Sequence, residues 1–281
     1  MTTPQAWLDG RLVALDDARV SVLDHGLVVG DGVFETLRVY GGVPFAWTRH
    51  HQRLALSAAA LGLGLPEEPV LRAAADAVLA ANELSDARLR ITVTGGIAPP
   101  GSGRGSGPPT AFVLASPYEP PAPTVDVVIA PWTRNEHGAL AGLKTISYAA
   151  NVRALAYAQQ WGAGEALFAN TSGNLCEATG SNVFGVAGGE LYTPPASAGC
   201  LLGVTRALLL ELARDAGIPA AERDVPIGAL VDADELFLSS STREVQPVAR
   251  VDGRAVRTVG GPVSTRLADA FRELVARDLD P

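Results

Sequence analysis

Residues 116–123 read Ser-Pro-Tyr-Glu-Pro-Pro-Ala-Pro, and four prolines in so short a stretch favour an extended linker. A chain of 281 residues with a linker over 116–124 is predicted to form two domains, a small N-terminal one over residues 1–115 and a larger C-terminal one over residues 125–281. Hydrophobic residues make up 47% of the sequence and charged residues 19%, a balance that suits globular domains with sizeable cores.

Within the first part, Trp7 to Val13 places Asp9-Gly10 between two short extended runs, a strong hairpin signal. Val33 to Tyr40 alternates and turns at Gly41-Gly42 into Val43 to Trp47, a second hairpin. Thr48 is expected to cap a helix to about Leu61, and an alanine-rich helix follows from about Glu67 to Asn82. Leu89 to Thr94 and Thr110 to Ala115 read as strands. Residues 95–109 between them, rich in glycine and proline, are expected to form a mobile loop with Arg104 as its single charge.

In the second part, Val125 to Ala130, Glu165 to Ala169, Asn182 to Ala187 and Glu235 to Leu238 read as strands. Helices are predicted from Tyr148 to Gln160, from about Val204 to Ala216, and from Ser264 to Ala276. Strands and helices mix without the regular alternation of a doubly wound sheet, so the predicted class is α+β.

A net charge of -8 argues against a nucleic-acid or anionic-membrane surface, although a small anionic ligand needs only a local basic cluster. Cys176 and Cys200 fit neither a disulfide framework nor a thiolate metal site, and the four histidines show no metal-ligand spacing. No basic-then-apolar leader opens the sequence, and no apolar run approaches the ~20 residues of a membrane helix. A cytoplasmic location is the expectation.

Lys144 is the only lysine; every other basic side chain is arginine. A guanidinium stays protonated and is a poor nucleophile, whereas a partly desolvated lysine amine loses its proton and attacks an aldehyde to form a Schiff base. The alternative is chance in an arginine-biased composition. An aldehyde cofactor with a phosphate also needs an anion cradle and a partner for its ring nitrogen. Gly203-Val204-Thr205 opens a helix, where unsatisfied N–H groups favour a phosphate. Ser240-Ser241-Thr242 follows a strand and supplies hydroxyls, and Arg53 adds a permanent charge. Taken singly, these read first as an ordinary cap, a turn and a solvated arginine. Glu177, set among small and apolar residues, suits a pyridinium N–H, or else is a turn glutamate facing water.

The order of these features resembles the fold-type IV pyridoxal-phosphate enzymes, the class IV aminotransferases. Lys144, Glu177 before Ser181-Asn182-Val183-Phe184, Gly203-Val204-Thr205-Arg206, and Asp234 to Thr242 carry the resemblance, together with Asp24-His25-Gly26, Gly30 to Glu35 and His50-x-x-Arg53. It covers nearly the whole chain and implies a two-domain α+β fold, a larger C-terminal domain that binds pyridoxal 5'-phosphate, and a homodimer. By resemblance Lys144 holds the cofactor as a Schiff base and moves the proton. Glu177 pairs with the pyridine nitrogen. Arg53, the amides of Val204 and Thr205, and Ser240 and Ser241 bind the phosphate. Tyr148 neighbours the cofactor's phenolic oxygen or, equally, is a core tyrosine.

From Ser181 onward the chain looks most like D-amino acid aminotransferases, which implies transfer of an amino group from a D-amino acid, with (R)-amines as further donors, to a 2-keto acid. The resemblance breaks where those enzymes grip the substrate carboxylate. Their tyrosine is Phe34 here, and their arginine and histidine fall on Pro100 and Ser102. Arg104 and Arg134 are candidate replacement cations, or exposed loop arginines. The N-terminal half and Leu143 to Asn151 also look like 4-amino-4-deoxychorismate lyases, which release 4-aminobenzoate and pyruvate, with Thr36 in the strand that builds their substrate pocket. Branched-chain aminotransferases are the weaker match, because their glycine-rich spacing between lysine and tyrosine is missing.

Overall fold

The computed structural model describes residues 3–281, so the first two residues of the predicted N-terminal domain lie outside the described residues. The chain forms two compact units, one from Met1–Glu119, Leu143–Tyr148 and Asp278–Pro281, the other from Pro120–Gly142 and Ala149–Arg277. The stretch around Lys144 and the last four residues, expected within the larger C-terminal domain, cluster with the first unit instead. Hydrogen bonding explains both placements.

The first unit contains β1 (Gln5–Leu8), β2 (Arg11–Ala14), α1 (His25–Val29), β3 (Gly32–Tyr40), β4 (Val43–Pro44), α2 (Trp47–Leu61), α3 (Glu68–Ala81), β5 (Ala87–Thr94) and β6 (Ala111–Pro117). Its six strands form one sheet in the order β2-β1-β6-β5-β3-β4. Successive side chains of a strand point to opposite faces. Val33, Leu37 and Val39 of β3 and Leu89, Ile91 and Val93 of β5 therefore share the face that packs on Leu54 and Ala58 of α2 and Leu71, Ala75 and Val78 of α3. Each fully buried leucine or valine there contributes about 2 kcal/mol of apolar burial.

Only Val39 and Tyr40 of β3 pair with β4, which leaves the rest of that edge open. Residues 144–146 run along it: Phe34 N–H donates to the Lys144 carbonyl at 3.1 Å and Ile146 N–H to the Gly32 carbonyl at 2.9 Å. The lysine stretch thus covers backbone groups that an edge strand would otherwise leave unpaired. Gly32 has to be glycine for this, because a Cβ there would lie 2.7 Å from the Val93 carbonyl oxygen and 2.8 Å from Ile146 Cδ1.

The terminal residues finish α2. Its first residue follows Ala46, which adopts a left-handed conformation without a side-chain cap. Asp280 accepts from Thr48 N–H at 2.9 Å and from the Thr48 hydroxyl at 2.6 Å, and Ala46 N–H donates to the Leu279 carbonyl at 2.7 Å. Thr48 is therefore inside the helix, and a distant carboxylate does the capping expected of it.

The second unit contains β7 (Val125–Ile129), α4 (Ala149–Gln160), β8 (Glu165–Ala169), β9 (Leu175–Ala178), β10 (Asn182–Ala187), β11 (Glu190–Thr193), α5 (Val204–Asp215), β12 (Ala220–Glu222), β13 (Glu235–Ser240), β14 (Glu244–Val251), β15 (Arg254–Ala255) and α6 (Pro262–Arg277). Its mixed sheet runs β12-β11-β10-β13-β14-β7-β8-β9, with β15 paired to β14. Val127, Leu167, Leu175, Val183, Leu236 and Leu238 belong to its core. Two pairings position functional residues: β8 sets Phe168 opposite Glu177, and β10 sets Asn182 opposite Ser239. Among the described residues no helix is long and apolar enough to cross a membrane.

Candidate active site

In the first unit, the sheet face opposite the helices gathers Lys144, Phe34, Tyr148, Thr36 and an arginine that sequence reasoning passed over, Arg90. Lys144 Nζ lies 4.1 Å from the centre of the Phe34 ring, and the Arg90 guanidinium lies 3.8 Å from the same centre. Tyr148 meets Phe34 edge-on, with ring centres 5.1 Å apart. Thr36, two residues along the strand from Phe34, is the cross-strand partner of Arg90. Arg90 Nε donates to the Thr92 hydroxyl at 3.2 Å, and Arg90 has no carboxylate partner among the described residues. Burial and the neighbouring Arg88 disfavour its charge, which an incoming anion would relieve. The Lys144 backbone is fixed by its N–H donating to Ser57 Oγ at 3.2 Å.

On the helix side of the same sheet, Glu35 is fully buried and bound by Arg53, Nε to Oε1 at 2.8 Å and Nη2 to Oε2 at 2.7 Å. His50 Nδ1 lies 2.7 Å from Glu35 Oε2. Burial works against a charge on Glu35, but Arg53 and then His50 outweigh it and hold the carboxyl far below its usual range. Burial lowers the His50 pKa. Arg53, predicted to bind phosphate, is thereby oriented from below by a dedicated carboxylate, with its side chain 13% exposed.

Residues 95–109, expected to be a mobile loop, are tied down. Arg104 clasps Asp31 with Nε on Oδ2 and Nη2 on Oδ1, both at 2.6 Å, and its Nη1 donates to the carbonyls of Leu61 and, at 3.0 Å, Gly62. His25 stands between Asp31 and the loop, with Nδ1 2.8 Å from Asp31 Oδ2 and Nε2 3.0 Å from the Gly101 carbonyl oxygen. Both ring nitrogens face acceptors, an arrangement that only the protonated imidazole satisfies. The Asp31 hydrogen bond raises the His25 pKa, and the Gly101 carbonyl adds to it against burial and Arg104. Arg104 is exposed on this loop, as one reading of the sequence has it, and is at the same time paired with Asp31.

In the second unit, Glu177 Oε1 pairs with Arg134 Nη2 at 3.3 Å, and Oε2 accepts from Leu201 N–H at 2.9 Å. Arg134 stacks on Phe168 at 4.4 Å and donates to Asn151 Oδ1 at 3.3 Å, so it supports Glu177. Burial pushes up the thiol pKa values of Cys176 and Cys200, the latter to about 11, so no thiolate competes with that carboxylate. Of the predicted phosphate segments, Gly203-Val204-Thr205 and the end of β13 belong to this unit and Arg53 to the first. Asn182, opposite Ser239, donates to the Leu201 carbonyl at 2.7 Å, and a Cβ on Gly203 would strike Asn182 Oδ1 at 2.1 Å. Val204 and Thr205 open α5 behind Gly203 with no side-chain cap, and β13 ends at Ser240 beside Ser241.

The amino-transferase class IV model matches residues 32–251. The chain belongs to the class IV aminotransferases. It is 35% identical to a Methanocaldococcus jannaschii protein provisionally named a branched-chain-amino-acid aminotransferase, over 95% of either chain. It is 32% identical to the D-alanine aminotransferase of Listeria innocua, over 96% of either chain. Among solved structures, the Escherichia coli branched-chain amino acid aminotransferase superposes with a TM-score of 0.92 at 29% identity, covering 97% of this chain and 95% of that one. Branched-chain enzymes, the weaker match by lysine spacing, thus stand among the most similar proteins. Spacing after one lysine is a local loop property that similarity along the whole chain outweighs. The fold is that of the fold-type IV enzymes, and the cofactor of the class is pyridoxal 5'-phosphate.

The second unit suits such a group on its own evidence. The hydroxyls of Ser181 and Ser239 and Arg134 Nε are buried without a hydrogen-bond partner. The first turn of α5 has no side-chain cap, which suits it to an anion, and buried polar groups such as those hydroxyls are normally satisfied.

Proposed function

We propose that this class IV aminotransferase takes its amino group from an α-amino acid whose carboxylate is bound by Arg90, and passes it to a 2-keto acid. D-amino acids are the preferred donors and (R)-amines further ones. The observation that carries the reading is the cation at 3.8 Å from Phe34, on the ring that Lys144 also touches and with no carboxylate of its own. Arg90 supplies the grip that the phenylalanine at position 34 and the residues Pro100 and Ser102 do not. Arg104 and Arg134, engaged by Asp31 and Glu177, are left as structural cations.

Pyridoxal phosphate, when bound, supplies an electrophilic carbonyl and a protonated ring that accepts electrons from the substrate carbon. Lys144 Nζ would hold that carbonyl and, once free, would carry the proton to and from the α-carbon. Glu177 would face the ring nitrogen and hold its proton, with Arg134 and the Leu201 N–H keeping the carboxylate in place. In the second unit the amides of Val204 and Thr205 and the hydroxyls of Ser240 and Ser241 would hold the phosphate; in the first, Arg53 is the candidate cation for it. Tyr148 and Phe34 wall the lysine, and Thr36 faces the substrate beside Arg90.

Branched-chain L-amino acids are the second reading, favoured by the likeness to the Methanocaldococcus jannaschii and Escherichia coli proteins. The test mixes cofactor-loaded protein, without keto acid, with D-alanine, D-glutamate, L-leucine and (R)-1-phenylethylamine, and follows the visible cofactor band. Bleaching with D-alanine or D-glutamate supports the first reading, and bleaching with L-leucine alone moves the assignment to the second. A band unchanged by all four makes 4-amino-4-deoxychorismate the next compound to add, with release of 4-aminobenzoate the sign of a lyase. The enzyme is a homodimer in this reading. The exposed apolar residues Val22, Leu23, Leu27, Val28 and Val29 on and before α1 are consistent with a covered face, and light scattering reads the mass.

A further inference from the structure

Glu165 lies on β8 with 2% of its surface exposed, and each of its carboxyl oxygens serves a different part of the second unit. Oε1 accepts from the Thr179 hydroxyl, from Thr179 N–H at 3.2 Å and from Ala166 N–H at 3.2 Å. Oε2 accepts from Arg243 Nη2 at 3.3 Å.

The first oxygen leads to Glu177. With its hydroxyl on Glu165 and its N–H shared between Glu165 and the Ala166 carbonyl at 3.1 Å, Thr179 presents its carbonyl to Asn151 Nδ2 at 2.6 Å. That bond fixes which way the Asn151 amide points, so Oδ1 faces Arg134, at 3.3 Å from Nη1 and 3.4 Å from Nη2. Arg134 in turn meets Glu177 Oε1. The second oxygen leads to the turn after β13. Arg243 closes that turn, with its N–H donating to Ser240 Oγ at 3.2 Å, and its side chain also reaches Gln246, which is anchored on the Ala122 carbonyl at 2.7 Å.

We propose that Glu165 is a positioning residue that sets the Glu177 carboxylate through Thr179, Asn151 and Arg134, and sets the Ser240-Ser241 turn through Arg243. This rests on the assignment of Glu177 to the ring nitrogen and of Ser240 and Ser241 to the phosphate. A carboxyl group between two otherwise separate networks makes the ring partner and the phosphate turn answer to one buried group. Hydrogen-bond networks of this kind hold geometry more tightly than their members do singly.

Three variants separate the two branches: Glu165→Gln, Asn151→Ala and Arg243→Met. Two readouts besides turnover are taken on each: the dissociation constant for pyridoxal phosphate, and the pH at which the visible band of the bound cofactor changes. Arg243→Met is expected to weaken binding about tenfold, the effect of losing one charge-assisted contact, with the band titration unmoved. Asn151→Ala is expected to move the titration with binding within about threefold of the parent. Glu165→Gln is expected to do both. A Glu165→Gln protein that matches the parent in both readouts, or loses only melting temperature, overturns the proposal. Should that variant not fold, either of the others matching the parent in its own readout overturns it equally. If instead the parent protein forms no borohydride-reducible adduct on Lys144, it is the cofactor assignment that fails.

Discussion

Replacing Arg90 by methionine keeps a long apolar stem against Phe34 and removes the one feature the substrate assignment depends on. A guanidinium and a carboxylate about 4 Å apart attract by about 4 kcal/mol at an effective dielectric constant of about 20. Arg90 is only half-buried, and measured losses for hydrogen bonds to charged groups are about 1.5–3 kcal/mol, so the lower range applies. At about 1.4 kcal/mol per decade, a loss of about 2–3 kcal/mol lowers kcat/KM for the best amino acid donor by about 30- to 150-fold. An amine donor without a carboxylate, such as (R)-1-phenylethylamine, has nothing to lose at this position. The single-turnover rate of band loss is measured for both donors in parent and variant. A fall of similar size for both would mean that Arg90 supports the fold of the face and does not bind the carboxylate, and an amino acid rate within about threefold of the parent would exclude the assignment altogether.

Lys144→Ala is expected to bind pyridoxal phosphate without any covalent link, so that intact-mass spectrometry after borohydride shows no adduct; an adduct on the variant would sink the role of Lys144. Glu35→Gln leaves the largely buried Arg53 without its counter-charge, which is expected to cost about 3–5 kcal/mol and to appear as a lower midpoint in urea. Because the folded-state pKa of Glu35 is depressed, its stabilisation is present above the unfolded value near 4.5 and is lost as pH falls below it, so the parent should lose melting temperature between about pH 5 and pH 3 more steeply than Glu35→Gln. His25 has the opposite sign. Its raised pKa makes the contact with Gly101 fully present below about pH 6.5 and lost as pH climbs through the folded value, so the hydrogen-exchange protection factors of residues 97–104 should fall toward pH 8.5. His25→Asn should flatten that dependence, and a loop whose protection ignores pH in both proteins would refute it.

The legible parts of this sequence are those whose signal is local. Hairpins at Asp9-Gly10 and Gly41-Gly42 and the helices after Thr48 and Gly203 follow from turn chemistry and period, and Lys144 stood out because no other lysine exists. α1 escaped notice because five residues hold too little of a helical period, and its apolar residues face outward. Glycine and proline in residues 95–109 speak of a mobile loop, while the bond that holds it joins Arg104 to Asp31 across 73 residues. Arg90 looked like the polar half of an alternating strand. Only the register that sets it opposite Thr36 marks it as a neighbour of Phe34, and pairing two predicted strands on their hydrophobic faces would have found it. Glu165 and Arg243, 78 positions apart, carry no shared local signal at all.

The way the chain is shared between its two units bears on how it is made. α2 is capped by Asp280, and the edge of β3 is covered by residues 144–146, so the first unit to emerge from the ribosome is the last to be finished. Until then it carries an open strand edge and an uncapped helix, both prone to wrong partners, and a fragment cut at the linker would carry them permanently. Lys144 enters its place beside β3 only as part of that late closure.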